Sequence, residues 1–335
     1  MIKPEGARSL RARLRGFGFS KAALDAAWPY WWSSEADAST SARAELRFSL
    51  ARKLGLDPRS LIDESAEPRF IWKDEARFKH LAGESEREKA GLTSFGVALG
   101  ALLVAAAPPP AGDDTRSPGR LRNLILGERR PYVRLLDLIS LAWSLGIAVI
   151  HLRVFPFPQK RMAAMTVRVG DRFAILLGKD SMYPAPIAFY LAHEIGHIAL
   201  KHVAENQVLV DLEGATSSLE HGDVEEEEAD RYALEMLTGD PKPRVLAGVR
   251  DYTSRSLARA VLQASEPLKI EPGTLALCFG YATNDWTKAN GALAHVYSAA
   301  KPVWREVNRI AATQLSLPLI PDDSADYLRA VLGSR

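Results

Sequence analysis

The sequence predicts an α+β fold, a small twisted sheet with helical regions before and after it. Three observations carry that prediction. Strand-like patterning is confined to Ile147–Phe155, Ala164–Val169 and Phe173–Leu177, and the last two flank the turn Gly170-Asp171. Apolar residues elsewhere recur at helical spacing. Residues 108–119, PPPAGDDTRSPG, form the clearest linker in the chain.

Composition narrows the possibilities. With 335 residues, 47% hydrophobic and 25% charged, the chain supports a packed core and is not wholly disordered. Its single Cys, Cys278, excludes an internal disulfide framework and a Cys-rich zinc module, and fits a reducing compartment. With 43 Lys+Arg against 41 Asp+Glu, overall charge favours neither nucleic acid nor membrane. Any metal site must therefore come from His and carboxylates.

Residues 1–107 read as a helical N-terminal region, with helices at Leu10–Leu14, Lys21–Ala27, Ser41–Leu54 and Arg77–Ala90. The cluster Trp28-Pro29-Tyr30-Trp31-Trp32 fits the core of a small helical unit better than a platform for stacked bases. Leu46 to Pro58 resembles the closing helices of a helix-turn-helix. Residues 1–60 carry 11 Lys+Arg and 6 Asp+Glu, a local +5 compatible with phosphate contacts or with a solvated face. Four Arg between Arg8 and Arg15 are followed by no apolar stretch of signal-peptide type. The apolar run Phe95–Ala107 falls short of the roughly 20 residues a membrane span needs. A cytoplasmic protein with no membrane partner is expected.

Residues 120–240 form the mixed block. A helix over 131–145, closed by Gly146, leads into the three strands, then a helix beginning near Pro184–Pro186, then another near Asp223–Leu237. Residues 241–335 read as a helical C-terminal domain of sensory or substrate-binding type, with helices at Ser256–Ser265, Gly273–Phe279, Trp286–Ala299 and Val303–Gln314.

The strongest signal is His193-Glu194-Ile195-Gly196-His197. Residues i and i+4 of a helix differ by about 40° around its axis, so His193 and His197 project side by side. Glu194 lies about 100° from His193, displaced from the ion but able to take a proton from water. Ile187, Leu191, Ile195 and Ile198 give this helix a core face, where two unsatisfied His would be costly to bury. His202, about 180° from His193 on a continuous helix, faces the wrong way for a third ligand. The better source is the run Glu225 to Glu228. Relative to Ala229, Glu226 and Glu225 fall on the core side, while Glu227 and Glu228 point away. Asp230, four residues after Glu226, shares its face and could orient a ligating His. That selects Glu226 as ligand, with Glu225 as the alternative. Glu227 and Arg231 form an ordinary i,i+4 pair.

Phe189 to Leu200, followed by Glu226 to Ala233, resembles the ImmA/IrrE family of metallo-endopeptidases, and the likeness covers roughly residues 120–240. Family members commonly have Asn where Asp230 stands. The resemblance implies a gluzincin-like peptidase domain and one Zn2+ per chain. It also implies cleavage of a protein substrate, an XRE-type helix-turn-helix repressor, that derepresses stress, mobile-element or phage-defence genes, with DNA as one conceivable signal or ligand. The metal ligands would be His193, His197 and Glu226, with Glu194 as general base. Tyr183, His221 and Tyr232 are unranked candidates for stabilising a developing oxyanion. Cys278 reads as a core thiol or as a latch that fills the open zinc position. An extended substrate could pair with the edge of the Ala164–Leu177 hairpin. The alternative reading is a DNA-binding regulator or toxin–antitoxin component in which zinc is structural.

Overall fold

The structure, a computed structural model, describes residues 5–72, 76–78, 86–111, 117–127, 129–158, 162–204, 208–212, 224–243 and 252–333. The first helices are α1 (Ala7–Gly16), α2 (Lys21–Ala27), α3 (Ser34–Ala38), α4 (Thr40–Leu54) and α5 (Pro58–Ile62). The side chains of Ser20, Ser33 and Ser39 accept from backbone N–H groups in the first turns of α2, α3 and α4. Gly55, at φ 70°, closes α4 in the left-handed region, which glycine adopts without strain.

The helix-turn-helix likeness ends here. α5 has only five residues and stops at Asp63, whose carboxylate accepts from the Ser65 N–H and starts a turn. One helical turn is too short to read a DNA groove as a recognition helix does. Much of the local positive charge is also engaged internally. Arg11 pairs with Asp25, Arg13 with Glu5, Arg47 with Glu5 and Glu64, and Arg52 with Asp323. Trp28, Trp31 and Trp32 pack against the main core, as the sequence suggests, while Tyr30 of the same cluster is exposed.

The helix expected over Arg77–Ala90 is instead a strand, β1 (Ala76–Phe78), and the start of α6 (Glu86–Ala106). Pairing with a distant strand extends residues 76–78, and three residues carry no period of their own. By length and composition α6 could cross a membrane, but most of its apolar stretch is buried inside the protein. It lies on the sheet through glycines. A Cβ at Gly96 would sit 2.2 Å from Met165 Sδ, and one at Gly100 would sit 2.7 Å from Val167.

The middle block comprises α7 (Pro118–Gly127), α8 (Leu135–Ser144), β2 (Ile147–His151), β3 (Met162–Val169), β4 (Arg172–Leu177), α9 (Pro184–Ala199), β5 (Val208–Leu212) and α10 (Val224–Thr238). The five strands lie in the order β1-β5-β3-β4-β2. β3 is antiparallel to β4 and β5, and the outer strands β2 and β1 run parallel to β4 and β5. The hairpin β3–β4 is thus central and has no free edge, so an extended substrate cannot add to it. Among the described residues, outer edges exist only on β1 and β2. Asn308 covers part of the β2 edge, accepting from the His151 N–H at 2.7 Å and donating to the His151 carbonyl at 2.8 Å.

The remaining helices are α11 (Ser254–Leu268), α12 (Pro272–Thr283), α13 (Trp286–Val296), α14 (Val303–Gln314) and α15 (Asp322–Val331). α11 to α13 share a small apolar cluster around Leu257, Val261, Leu275 and Phe279. α14 and α15 join the main core, which runs from Leu10 to Leu332. One core therefore draws on all three segments inferred from composition.

The N- and C-terminal helices meet at a buried ion pair. Lys53 Nζ, on a side chain 1% exposed, lies 3.2 Å from Asp323 Oδ2, and Ser49 donates to the same carboxylate. Burial would raise the Asp323 carboxyl, but Ser49, Lys53 and Arg52 outweigh it and hold it below the usual range. The stabilisation is therefore present above the unfolded value of 3.8 and lost as pH falls through the lower folded value. Asp323→Asn should cost about 3 kcal/mol at neutral pH, because it leaves the Lys53 ammonium buried without its partner. Denaturant melts of the two proteins would show it, and equal midpoints would refute it.

Candidate metal centre

α9 carries the centre. Pro184 and Pro186 lie in its first turn, where helix N–H groups have no intrahelical acceptor, so they start the helix without breaking it. Ile187, Leu191, Ile195 and Ile198 are buried on the core side. His193, Glu194 and His197 are buried as well. α10 reaches α9 closely at Gly196, where an added Cβ would lie 3.1 Å from the Cβ of Tyr232. This approach delivers Glu226, itself buried, to the two imidazoles.

His193 Nε2 is 3.1 Å from Glu226 Oε2, His197 Nε2 is 3.3 Å from Glu226 Oε1, and the two Nε2 atoms are 2.9 Å apart. One ligand atom from each residue lies within 4.8 Å of the others. Two imidazole nitrogens and one carboxylate oxygen converging on a buried point form a group that could hold a metal ion. Burial alone would lower His193, but hydrogen bonds to Asp230 and Glu226 outweigh it and hold the imidazole well above its ordinary value. Burial alone would likewise raise Glu226, yet hydrogen bonds from His193 and His197 hold it far below the carboxylate range.

The groups behind the ligands are partly those the sequence indicated. Asp230 Oδ1 accepts from His193 Nδ1 at 2.9 Å, as its position four residues after Glu226 suggested. Glu227 pairs with Arg231 at 2.6 Å. Two readings change. α9 stops at Ala199, Lys201 turns the chain at φ 63°, and the His202 N–H donates to the His197 carbonyl at 2.9 Å. His202 is therefore folded back onto the site, with its Nδ1 2.9 Å from His197 Nδ1. The 180° argument fails because the helix does not continue. Glu228, expected to point away, places Oε2 3.2 Å from His202 Nε2.

Glu194 faces the sheet, where Thr166 Oγ1 donates to its Oε2 at 2.5 Å. Sequence reasoning missed Thr166, although a hydroxyl inside a strand buried over Met162–Val167 was the available signal. Thr166→Val should cost about 1–3 kcal/mol, because it removes a donor from a buried carboxylate. A denaturant melt checks this, and an unchanged midpoint would show that the bond contributes nothing.

The other candidates take different places. Tyr183 precedes α9, ten residues and about 15 Å along the axis from His193, and its ring stacks on Tyr297. That distance removes it as an oxyanion donor. Tyr232 is buried and packs on Gly196 as the contact between α9 and α10. His221 lies outside the described residues. Cys278 is not among the converging ligand atoms, and burial pushes its thiol up to about 12, which disfavours the thiolate a zinc latch requires. Tyr281, on α12, is a residue the sequence did not single out. Desolvation raises its hydroxyl above the ordinary value, and the negative charges of Asp230 and Glu227 add to that shift. No protein-family model, curated protein or solved structure matches the chain.

Proposed function

We propose that the chain is a zinc-dependent endopeptidase of gluzincin type that cleaves a helix-turn-helix repressor, as its likeness to the ImmA/IrrE motifs implies. One observation carries the proposal: His193, His197 and Glu226 converge, and Glu194, the residue next to His193 on the same helix, is fully buried as well. A structural zinc site has no use for a general base in that position. The donor set fits zinc, since two imidazoles and one carboxylate match a catalytic site that keeps one position open. Zinc held there supplies a Lewis acid that polarises the scissile carbonyl and brings the pKa of water toward neutrality.

In this reading the protein's own residues divide the work. Glu194 receives the proton from the attacking water and passes it to the leaving amine. Thr166 holds one oxygen of that carboxylate and so fixes the direction of the other. Asp230 keeps the proton of His193 on Nδ1 and leaves Nε2 for the ion. The substrate is a protein segment presented in extended form.

The test is co-expression with the helix-turn-helix repressors of the same genome, any encoded near the gene being tried first, followed by mass spectrometry of each repressor. A single internal cut in one of them that a zinc chelator prevents is expected. Repressors that all stay intact, with zinc bound and with DNA damage applied, would refute the reading.

A further inference from the structure

His202 and Glu228 form a chain of hydrogen bonds that nothing in the proposed reaction requires, and they reach the second imidazole from behind. For His197 to offer Nε2 to an ion, its Nδ1 must carry the hydrogen and donate it. The atom facing that hydrogen is His202 Nδ1, at 2.9 Å. An acceptor at Nδ1 requires the hydrogen of His202 to sit on Nε2, and Glu228 Oε2 stands 3.2 Å from it. The arrangement satisfies one direction throughout, from His197 to His202 to Glu228. The turn at Lys201 and the bond from the His202 N–H to the His197 carbonyl hold the relay in place. The two metal imidazoles are thus oriented differently, His193 by one carboxylate directly and His197 through an intervening ring.

We infer that His202, held by Glu228, is the positioning residue that sets the tautomer and ring orientation of His197 for metal binding. The inference rests on the metal-site reading above but not on peptide hydrolysis. Because α10 supplies Glu226, Glu228 and Asp230, a single helix delivers one ligand and the outer support of both imidazoles.

The experiment measures zinc affinity of the full chain by competition with a chromophoric chelator, alongside thermal melting of the zinc-free protein. His202→Ala should weaken zinc binding about 10–100-fold with little change in the zinc-free melt. His202→Asn, which keeps an acceptor near the position of Nδ1, should recover affinity to within about threefold. Glu228→Gln, at a half-exposed surface position, should fall between them and serves if His202→Ala does not fold. Equal zinc affinity in the wild type, His202→Ala and Glu228→Gln would overturn the assignment, as would Asn binding no better than Ala. A wild type that binds no zinc would overturn this inference and the metal-site reading together. Tight zinc binding without any cleavage would refute only the peptidase.

Discussion

Glu194→Gln is expected to keep zinc and to lower the rate of repressor cleavage by roughly 10²–10⁴-fold, the range that a positioned general base contributes. The substitution preserves shape and can still take the Thr166 hydroxyl bond through its carbonyl oxygen, so folding should survive. What it removes is a carboxylate that can accept a proton. The reading requires two measurements on the same preparation, zinc content and the initial rate of product formation with purified repressor. Full zinc with the rate collapsed is the expected pair. Full zinc with an undiminished rate would show that Glu194 is not the base and would sink the mechanism.

The second large effect concerns the ion itself. Glu226→Ala should weaken zinc binding by more than the roughly 10–100-fold typical of outer-shell changes, since it deletes a ligand. Only two imidazoles would remain. The wild type should also bind zinc more tightly as pH rises. Asp230 and Glu226 hold the His193 proton well above the ordinary 6.5, and the ion must displace that proton to ligate Nε2. While His193 is protonated, affinity should increase by about tenfold per pH unit and level off above its folded value. Chelator competition from mildly acidic to alkaline pH measures this. Unchanged affinity in Glu226→Ala would move the ligand to Glu225, and a flat pH profile would contradict the buried His193–carboxylate pairing.

The legible part of the centre is the part made by one helix at a time. The spacing of His193 and His197 is helical geometry, and the same angles narrowed four neighbouring glutamates to Glu225 and Glu226, between which the position of Asp230 chose Glu226. Patterning likewise located β2, β3 and β4 to within a few residues. β1 and β5 escaped because each is set by pairing across the sheet. The same periodicity argument misled for His202, since it assumed that α9 continued past Ala199. Without a glycine after the helix there was no local sign of the stop. Lys201 takes the left-handed conformation instead.

The donor types available to the site were therefore fixed by residue type and local spacing. A lone Cys excluded thiolate-rich sites, and the short motif on α9 left imidazole and carboxylate as the donors. Tertiary structure settled everything that depends on distance between elements: the contact of Thr166 with Glu194, the reach of Glu228 to His202, and the burial of the hairpin between two further strands. It also brought α14 and α15 back to the core of the N-terminal helices, against the division that composition suggests. The reason is physical. Side chains a few residues apart on a helix keep nearly fixed angles, whereas residues 28 or 26 positions apart meet only through packing of the whole core.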